Sequence, residues 1–316
     1  MIIWMGGSDT SLWPLKALKD GGHRPLLGSF FSLSLSERHK TMISPTDFRF
    51  FLDSGAYSAW SRGTVIDLDE YCAFIRANIE LIEVYAALDV IPGAPGRAAT
   101  NQERDAAADE SWENYLYMKR EGLDPLPVYH YGEDMRFLER LLDHKVPYIG
   151  IGGLVGVAGG LRRAWLDRVF LRITDDKGMP LVKTHGFGMT SVPLIFRYPW
   201  YSVDSTTWIK ITANGGIYLP AMVGNDFVFD QVPMSVSVSL GNPNQNLDGK
   251  SAATMSAGMR AILDRWLAIC GKTYAEVSTD YYHRAVCNVT YFKKVSEAKA
   301  VHPFTRDRVL RTSIWS

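Results

Sequence analysis

Short runs of apolar and β-branched residues recur along the first two thirds of the chain, at 2–5, 49–52, 84–90, 126–131, 148–151, 181–184 and 201–203, with a weaker run at 25–31. Each is followed by turn residues and then a longer stretch with apolar residues at helical spacing, as over 68–84, 101–121 and 134–143. Strands that alternate with helices predict βα units and a parallel sheet rather than hairpins. Eight such units predict an α/β chain built on a (β/α)8 TIM-type barrel, whose active residues stand at the C-terminal ends of the strands. After Trp208 the texture changes. Residues 209–211, Asn214-Gly215-Gly216 and 217–219 read as a β-hairpin with a glycine-assisted turn, 242–250 as a polar loop and 254–270 as an amphipathic helix. The 316 residues therefore divide into a barrel catalytic domain over 1–230 and a smaller mixed, helical C-terminal extension over 231–316.

Composition narrows the class of partner. No run approaches the ~20 apolar residues of a membrane span, and the first residues lack the basic segment and cleavage site of a signal peptide. A cytoplasmic protein with no membrane partner is expected. Cys72, Cys270 and Cys287 lie far apart with no Cys-x-x-Cys, and the lone His283-x3-Cys287 pair is more often structural than ligating, so no metal and no cofactor is expected. Lysine plus arginine (34) equals aspartate plus glutamate (34), which removes the simplest argument for a nucleic-acid partner. The balance is uneven along the chain: residues 53–143 hold 18 acids against 8 bases, whereas Arg284, Lys293, Lys294, Lys299, Arg306, Arg308 and Arg311 crowd the last segment. Those bases suit phosphate contacts or an ordinary solvated surface equally.

Three apolar strands run into carboxylates: Phe50-Phe51-Leu52 into Asp53-Ser54-Gly55-Ala56-Tyr57, Ala86-Ala87-Leu88 into Asp89, and Tyr201-Ser202-Val203 into Asp204. A single aspartate at a strand end often only caps the next turn or helix; three in the same register point to one barrel mouth. Glycines mark two further strand ends, Gly150-Ile151-Gly152-Gly153-Leu154 and His185-Gly186-Phe187-Gly188, where backbone amides can approach a flat ligand or simply make a tight turn. No G-x-G-x-x-G opens a helix, so a dinucleotide fold is not indicated. His130 reads as a polar contact in the mouth or a satisfied rim histidine. Tyr57 reads as a stacking platform or a core ring.

In this order and spacing, the blocks at 53–57, 89, 152–154, 185–188 and 203–205 resemble those of the tRNA-guanine transglycosylase superfamily, over about half the chain. The likeness is closest to the shorter DpdA-type branch, the DNA 7-deazaguanine transglycosylases of phages and some bacterial genomic islands. The resemblance implies Asp204 as nucleophile and Asp53 as general acid/base. It implies that Asp89, Gly153 and Leu154 grip the purine edge and that Tyr57 stacks on its face, with Ser54, Gly152 and His185 as further substrate contacts. His130 stands where the family places a base-reading glutamine. The three clustered cysteines and histidine that bind structural zinc in the tRNA enzymes are missing from the sequence, so DNA and a free 7-deazaguanine base are the expected partners, ahead of tRNA.

These residues suit a base exchange with retention at C1′. A carboxylate attacks the sugar, and the covalent intermediate is then captured by the incoming base. The same residues are compatible with a tRNA-directed enzyme, with a carboxylate-pair glycoside or nucleoside hydrolase, and with a silent nucleic-acid-binding barrel. A target guanine in a duplex must be flipped out, and Arg162, Arg163, Arg168, Arg172 and the basic C-terminal segment are the expected phosphate contacts.

Overall fold

Strand–helix alternation governs the first two thirds of the molecule. The computed structural model describes residues 1–7, 11–33, 43–241, 251–299 and 303–305. Eight strands, β1 (Ile2–Gly6), β2 (Pro25–Ser29), β3 (Arg49–Asp53), β4 (Ile82–Tyr85), β5 (Val128–His130), β6 (Tyr148–Gly152), β7 (Lys183–Gly186) and β8 (Ser202–Ser205), form one curled parallel sheet in the order β4-β3-β2-β1-β8-β7-β6-β5. The weak run at 25–31 is thus a full member of the sheet. Helices α1 (Leu12–Asp20), α2 (Ala56–Ser61), α3 (Leu68–Ala77), α4 (Asn101–Arg120), α5 (Met135–Asp143), α6 (Gly159–Ile173), α7 (Val192–Arg197) and α8 (Thr207–Ala213) lie between or after the strands. Local chemistry starts several of them: Asp67 accepts the Glu70 amide, and Thr100 and Glu103 form a reciprocal capping box.

The edge strands β4 and β5 meet at one point. Ala86 and Leu126 make a single parallel bridge, flanked by the Ala87 amide donating to the Leu126 carbonyl and the Leu126 amide to the Tyr85 carbonyl, both at 2.8 Å. Pro125 and Pro127 stand on either side of Leu126. The Pro127 carbonyl turns instead to β6, accepting the Gly150 amide at 2.8 Å, and no further β4–β5 pair forms among the described residues. The expected TIM-type barrel is met as a curled eight-stranded α/β sheet whose edges touch without a closed ladder.

Alternation across the strands makes two cores. Trp4, Leu27, Phe51, Ala86 and Leu126 pack together on one face, joined by Val84, Val128, Tyr148 and Phe187. Their neighbours in sequence, such as Ile3, Met5, Phe50, Leu52, Tyr129, Ile149 and Val203, turn to the other face and join the larger core that includes the helices.

The expected hairpin after Trp208 is not formed. Residues 209–211 belong to α8, where Trp208 is fully buried and its indole N–H donates to the Gly6 carbonyl at 2.8 Å. Asn214 and Gly215, with φ +77° at the glycine, end this helix. A left-handed glycine serves a helix C-terminus as readily as a hairpin turn, and the three residues Ile209-Lys210-Ile211 are too few to separate the two periods. Strand β9 (Gly216–Leu219) instead pairs antiparallel with β12 (Met234–Ser237), and β10 (Ala221–Val223) with β11 (Asp226–Val228). The expected boundary near residue 230 falls inside the β9–β12 pairing. Helices α9 (Ala257–Ile269), α10 (Tyr274–Thr279) and α11 (Tyr281–Ala298) follow.

Helix α11 packs against α1, α8, β1 and β9. Asn288 bolts it in place, donating to Thr212 Oγ1 (2.9 Å) and the Gly216 carbonyl (3.2 Å) and accepting the Tyr218 amide (2.9 Å). No helix among the described residues is long and apolar enough to cross a membrane.

Candidate active site

All eight strands of the curled sheet are parallel, so their C-terminal ends share one edge. Asp53 and Asp204 lie in the last turns of β3 and β8, and Asp89 follows β4 on the same edge. Alternation puts Asp53 on the face of Phe51, Asp204 on that of Ser202, His130 on that of Val128, and Gly152 on that of Tyr148. At this mouth lies a cleft of about 360 Å³ lined by Asp53, Tyr57, Asp89, His130, Gly152, Gly153, Val155, Phe187 and Gly188, among others. Its size is that of a small-molecule site.

One wall is a chain of hydrogen bonds centred on an imidazole. Ser54 Oγ donates to Asp89 Oδ1 at 3.1 Å, and Asp89 Oδ2 stands 2.8 Å from His130 Nε2. His130 Nδ1 in turn lies 2.9 Å from Glu133 Oε1, while Glu133 Oε2 accepts the His130 amide at 3.0 Å. Burial alone opposes a charge on this ring, but Glu133 and Asp89 outweigh it and raise the His130 pKa to about 10. His130 is an imidazolium between two carboxylates. Gly152 makes room for it: a Cβ there would come within 3.0 Å of His130 Cδ2.

A second chain lies beneath Asp204. The Gly188 amide donates to Asp204 Oδ1 at 2.6 Å. His185, wholly buried, places Nε2 3.4 Å from the same oxygen without completing a hydrogen bond. Its Nδ1 is 2.6 Å from Ser202 Oγ, which is 2.5 Å from the Tyr148 hydroxyl. Burial depresses the His185 pKa, and Asp204 opposes that only in part. The ring is neutral. Tyr148 stays a phenol because burial pushes its pKa up, so the proton order that fits runs from Tyr148 to Ser202 to His185 Nδ1. That order leaves Nε2–H facing the carboxylate.

The ten residues expected at the site separate by depth. Asp53, Tyr57, Asp89, His130, Gly152 and Gly153 line the cleft. Tyr57 is 61% exposed at its rim, with its ring 5.7 Å from that of Trp60, so it offers an open face and is not a core residue. Asp53 Oδ2 accepts the Gly55 amide at 3.2 Å. Asp204 is buried beside Gly188. Ser54 is buried and bonds to Asp89, His185 lies beneath Asp204, and Leu154 packs into the helix-side core. These three, and Asp204 with them, do not line the cleft.

Glu133, Ser202 and Tyr148 were not foreseen as site residues, and Gly188 was read only as part of a glycine-marked strand end. Ser202 and Tyr148 share the inward parity of Asp204 and Gly152, which was a readable signal.

The expected phosphate contacts are largely engaged elsewhere. Arg284 donates to the Val277 carbonyl and Lys299 to that of Phe196, and both are buried. Lys293 and Lys294 both pair with Glu297. Arg162 donates to the Val157 carbonyl and Arg172 pairs with Glu139, whereas Arg163 and Arg168 are exposed on α6. Arg306, Arg308 and Arg311, like the polar loop at 242–250, lie outside the described residues. Among the described residues no group of three or more potential metal ligands comes together. Compared with known proteins, the chain matches no family model and no curated sequence.

Proposed function

We propose that this chain is a base-exchange transglycosylase on a (β/α)8-type barrel, replacing guanine in DNA by a 7-deazaguanine base through a covalent intermediate on Asp204. The observation that carries the reading is the gathering of Asp53, Asp89 and Asp204 at one sheet edge, where Asp53 and Asp89 line a cleft of about 360 Å³ and Asp204 accepts the amide of Gly188 in its wall. The sequential strand order and the Ala86–Leu126 bridge support the barrel.

In the first half-reaction an Asp204 oxygen attacks C1′ of the target nucleotide. The bond from C1′ to the guanine nitrogen breaks, its electron pair leaves with the base, and Asp53 delivers a proton to that base. In the second, the incoming base gives a proton back to Asp53 while its nitrogen attacks C1′ and displaces Asp204. Two inversions give retention, and Asp53 ends in the state in which it began. The Gly188 amide and the His185 ring stabilise the Asp204 carboxylate each time it is released. Tyr57 covers the base and limits the access of water, which would otherwise leave an abasic site.

DNA is preferred to tRNA because the sequence lacks the zinc cluster of the tRNA enzymes it resembles. Exposed Tyr57 and Val155 at the rim, with Arg163 and Arg168 on the helix that follows β6, suit a flipped nucleotide and its strand. The test is nucleoside mass spectrometry of DNA and of tRNA after incubation with the protein and a panel of deazaguanine bases. Incorporation into DNA is expected. Faster incorporation into tRNA overturns the polymer, and release of guanine with no base incorporated indicates a hydrolase.

A further inference from the structure

We infer that Glu133, acting through His130, is a positioning residue that holds Asp89 as an acceptor-only surface and so selects a heterocycle edge bearing two adjacent N–H donors. The inference rests on the base-exchange reading and goes past it, to how the base is chosen. Neither Glu133 nor the pairing of His130 was part of the expected site.

The geometry leaves the ring no free atom. Nε2 is 2.8 Å from Asp89 and Nδ1 2.9 Å from Glu133. Carboxylate oxygens only accept, so both ring nitrogens must donate. Glu133 is anchored independently of the ring, because its other oxygen accepts the His130 amide. Its side chain is only 6% exposed, against 9% for His130 and 13% for Asp89, so these bonds are made in a poorly solvated setting. The raised His130 pKa agrees with this arrangement.

The consequence falls on Asp89. One of its oxygens takes the His130 proton and the other that of Ser54. Each oxygen keeps a lone pair, and Asp89 lines the cleft. No proton is left on this wall to donate, because Ser54 and His130 spend theirs on Asp89 and Glu133. An edge with adjacent ring N–H and amino donors, as on guanine and 7-deazaguanine, finds two acceptors. Adenine, which presents a ring acceptor beside its amino group, meets lone pair against lone pair, and hypoxanthine lacks the second donor.

Glu133→Gln breaks the arrangement at constant shape. The amide oxygen can still accept the His130 backbone amide, but its NH2 then opposes Nδ1–H. The ring should give up that proton and loosen its grip on Asp89.

The test combines three readouts on the full chain: calorimetric binding of free guanine, adenine and hypoxanthine, steady-state exchange, and nitrogen-15 NMR of the His130 ring at about pH 8, above the ordinary histidine pKa. Wild type should bind guanine best and show His130 protonated on both nitrogens. Glu133→Gln should weaken guanine binding roughly ten- to a hundredfold, raise KM for the base more than it lowers kcat, and show a singly protonated ring. A merely structural role would lower the active fraction and leave KM alone.

His130→Gln, which can offer Asp89 one N–H, should fall between the two in guanine affinity, and it serves if Glu133→Gln unfolds. Wild-type guanine affinity retained in both variants overturns the inference and leaves the base-exchange reading standing. A wild type that binds no guanine overturns both.

Discussion

Two histidines stand at the same mouth, both buried and each beside an aspartate, yet their protonation states are opposite. His130 touches Asp89 and Glu133 through two completed hydrogen bonds, and its pKa rises to about 10. His185 faces Asp204 alone at 3.4 Å, has a neutral hydroxyl on its other nitrogen, and is depressed by burial. Burial penalises both cations. What decides the outcome is whether enough negative charge lies within hydrogen-bonding distance to repay it. A second carboxylate turns one ring into a fixed cation suited to holding a recognition group still. Its absence leaves the other ring a neutral donor suited to a carboxylate that must alternate between free and covalently bound.

The sharpest way to break this division is to exchange the roles of the two aspartates. Asp204→Ala should abolish base exchange, by at least about a thousandfold if it supplies the covalent step, while guanine binding is retained. Denaturing gels should trap a protein–DNA adduct with wild type and none with the variant. Asp89→Asn should do the reverse, raising KM for the base by one to two orders of magnitude, on the order of a lost buried hydrogen bond, with a smaller loss in single-turnover exchange. An adduct that persists in Asp204→Ala would reassign the nucleophile, and equal losses of binding in the two variants would erase the division of labour.

Acid–base stability sharpens the same contrast, with opposite signs. The folded-state pKa of His130 lies above its unfolded value, so the stability it contributes is fully present below about pH 6.5 and is lost as pH rises toward 10. For His185 the folded pKa lies below the unfolded one, so its contribution is present above about pH 6.5 and is lost as pH falls below that value. Urea midpoints of wild type, His130→Asn and His185→Asn across this range should therefore show differences from wild type that shrink at high pH for His130 and at low pH for His185. Two curves of the same sign would mean that one ring has been assigned the wrong charge.

Much of this arrangement was legible in the chain. Strand-end aspartates with the parity of buried aromatic residues, such as Asp53 two positions after Phe51, announce a mouth. Depth was not legible. In the sheet His185 is paired with Ser202, two residues short of the level of Asp204, so a histidine that reads as a substrate contact lies beneath the carboxylate. That stagger depends on how neighbouring strands slide past each other, which no local pattern encodes. Glu133 was hidden for a different reason: it follows β5 in a turn, closed by its own amide donating to the His130 carbonyl at 3.2 Å, where period-two alternation no longer applies. The misread residues 209–211 show the limit from the other side, because a stretch as short as Ile-Lys-Ile takes its structure from the helix layer it joins.

The smallest expected effect tests whether the Asp204 side works as a chain of donors. Tyr148 is its far end, 2.5 Å from Ser202 Oγ, and Tyr148→Phe removes the hydroxyl while keeping the ring that packs in the inner core. If the proton order runs from Tyr148 through Ser202 to His185, the variant leaves Ser202 free to rotate. His185 then loses part of the bias that keeps Nε2–H toward Asp204. The hydrogen bond at stake is neutral and two groups removed from the carboxylate, so the loss should be about two- to tenfold in single-turnover exchange. Guanine affinity and the doubly protonated state of His130 should not change, because among the described residues no hydrogen bond connects the two networks. Ser202→Ala, one step closer, should cost more than Tyr148→Phe and less than Asp204→Ala. That graded order is what a relay predicts; a shift in guanine affinity in Tyr148→Phe would instead show that the two walls of the cleft move together.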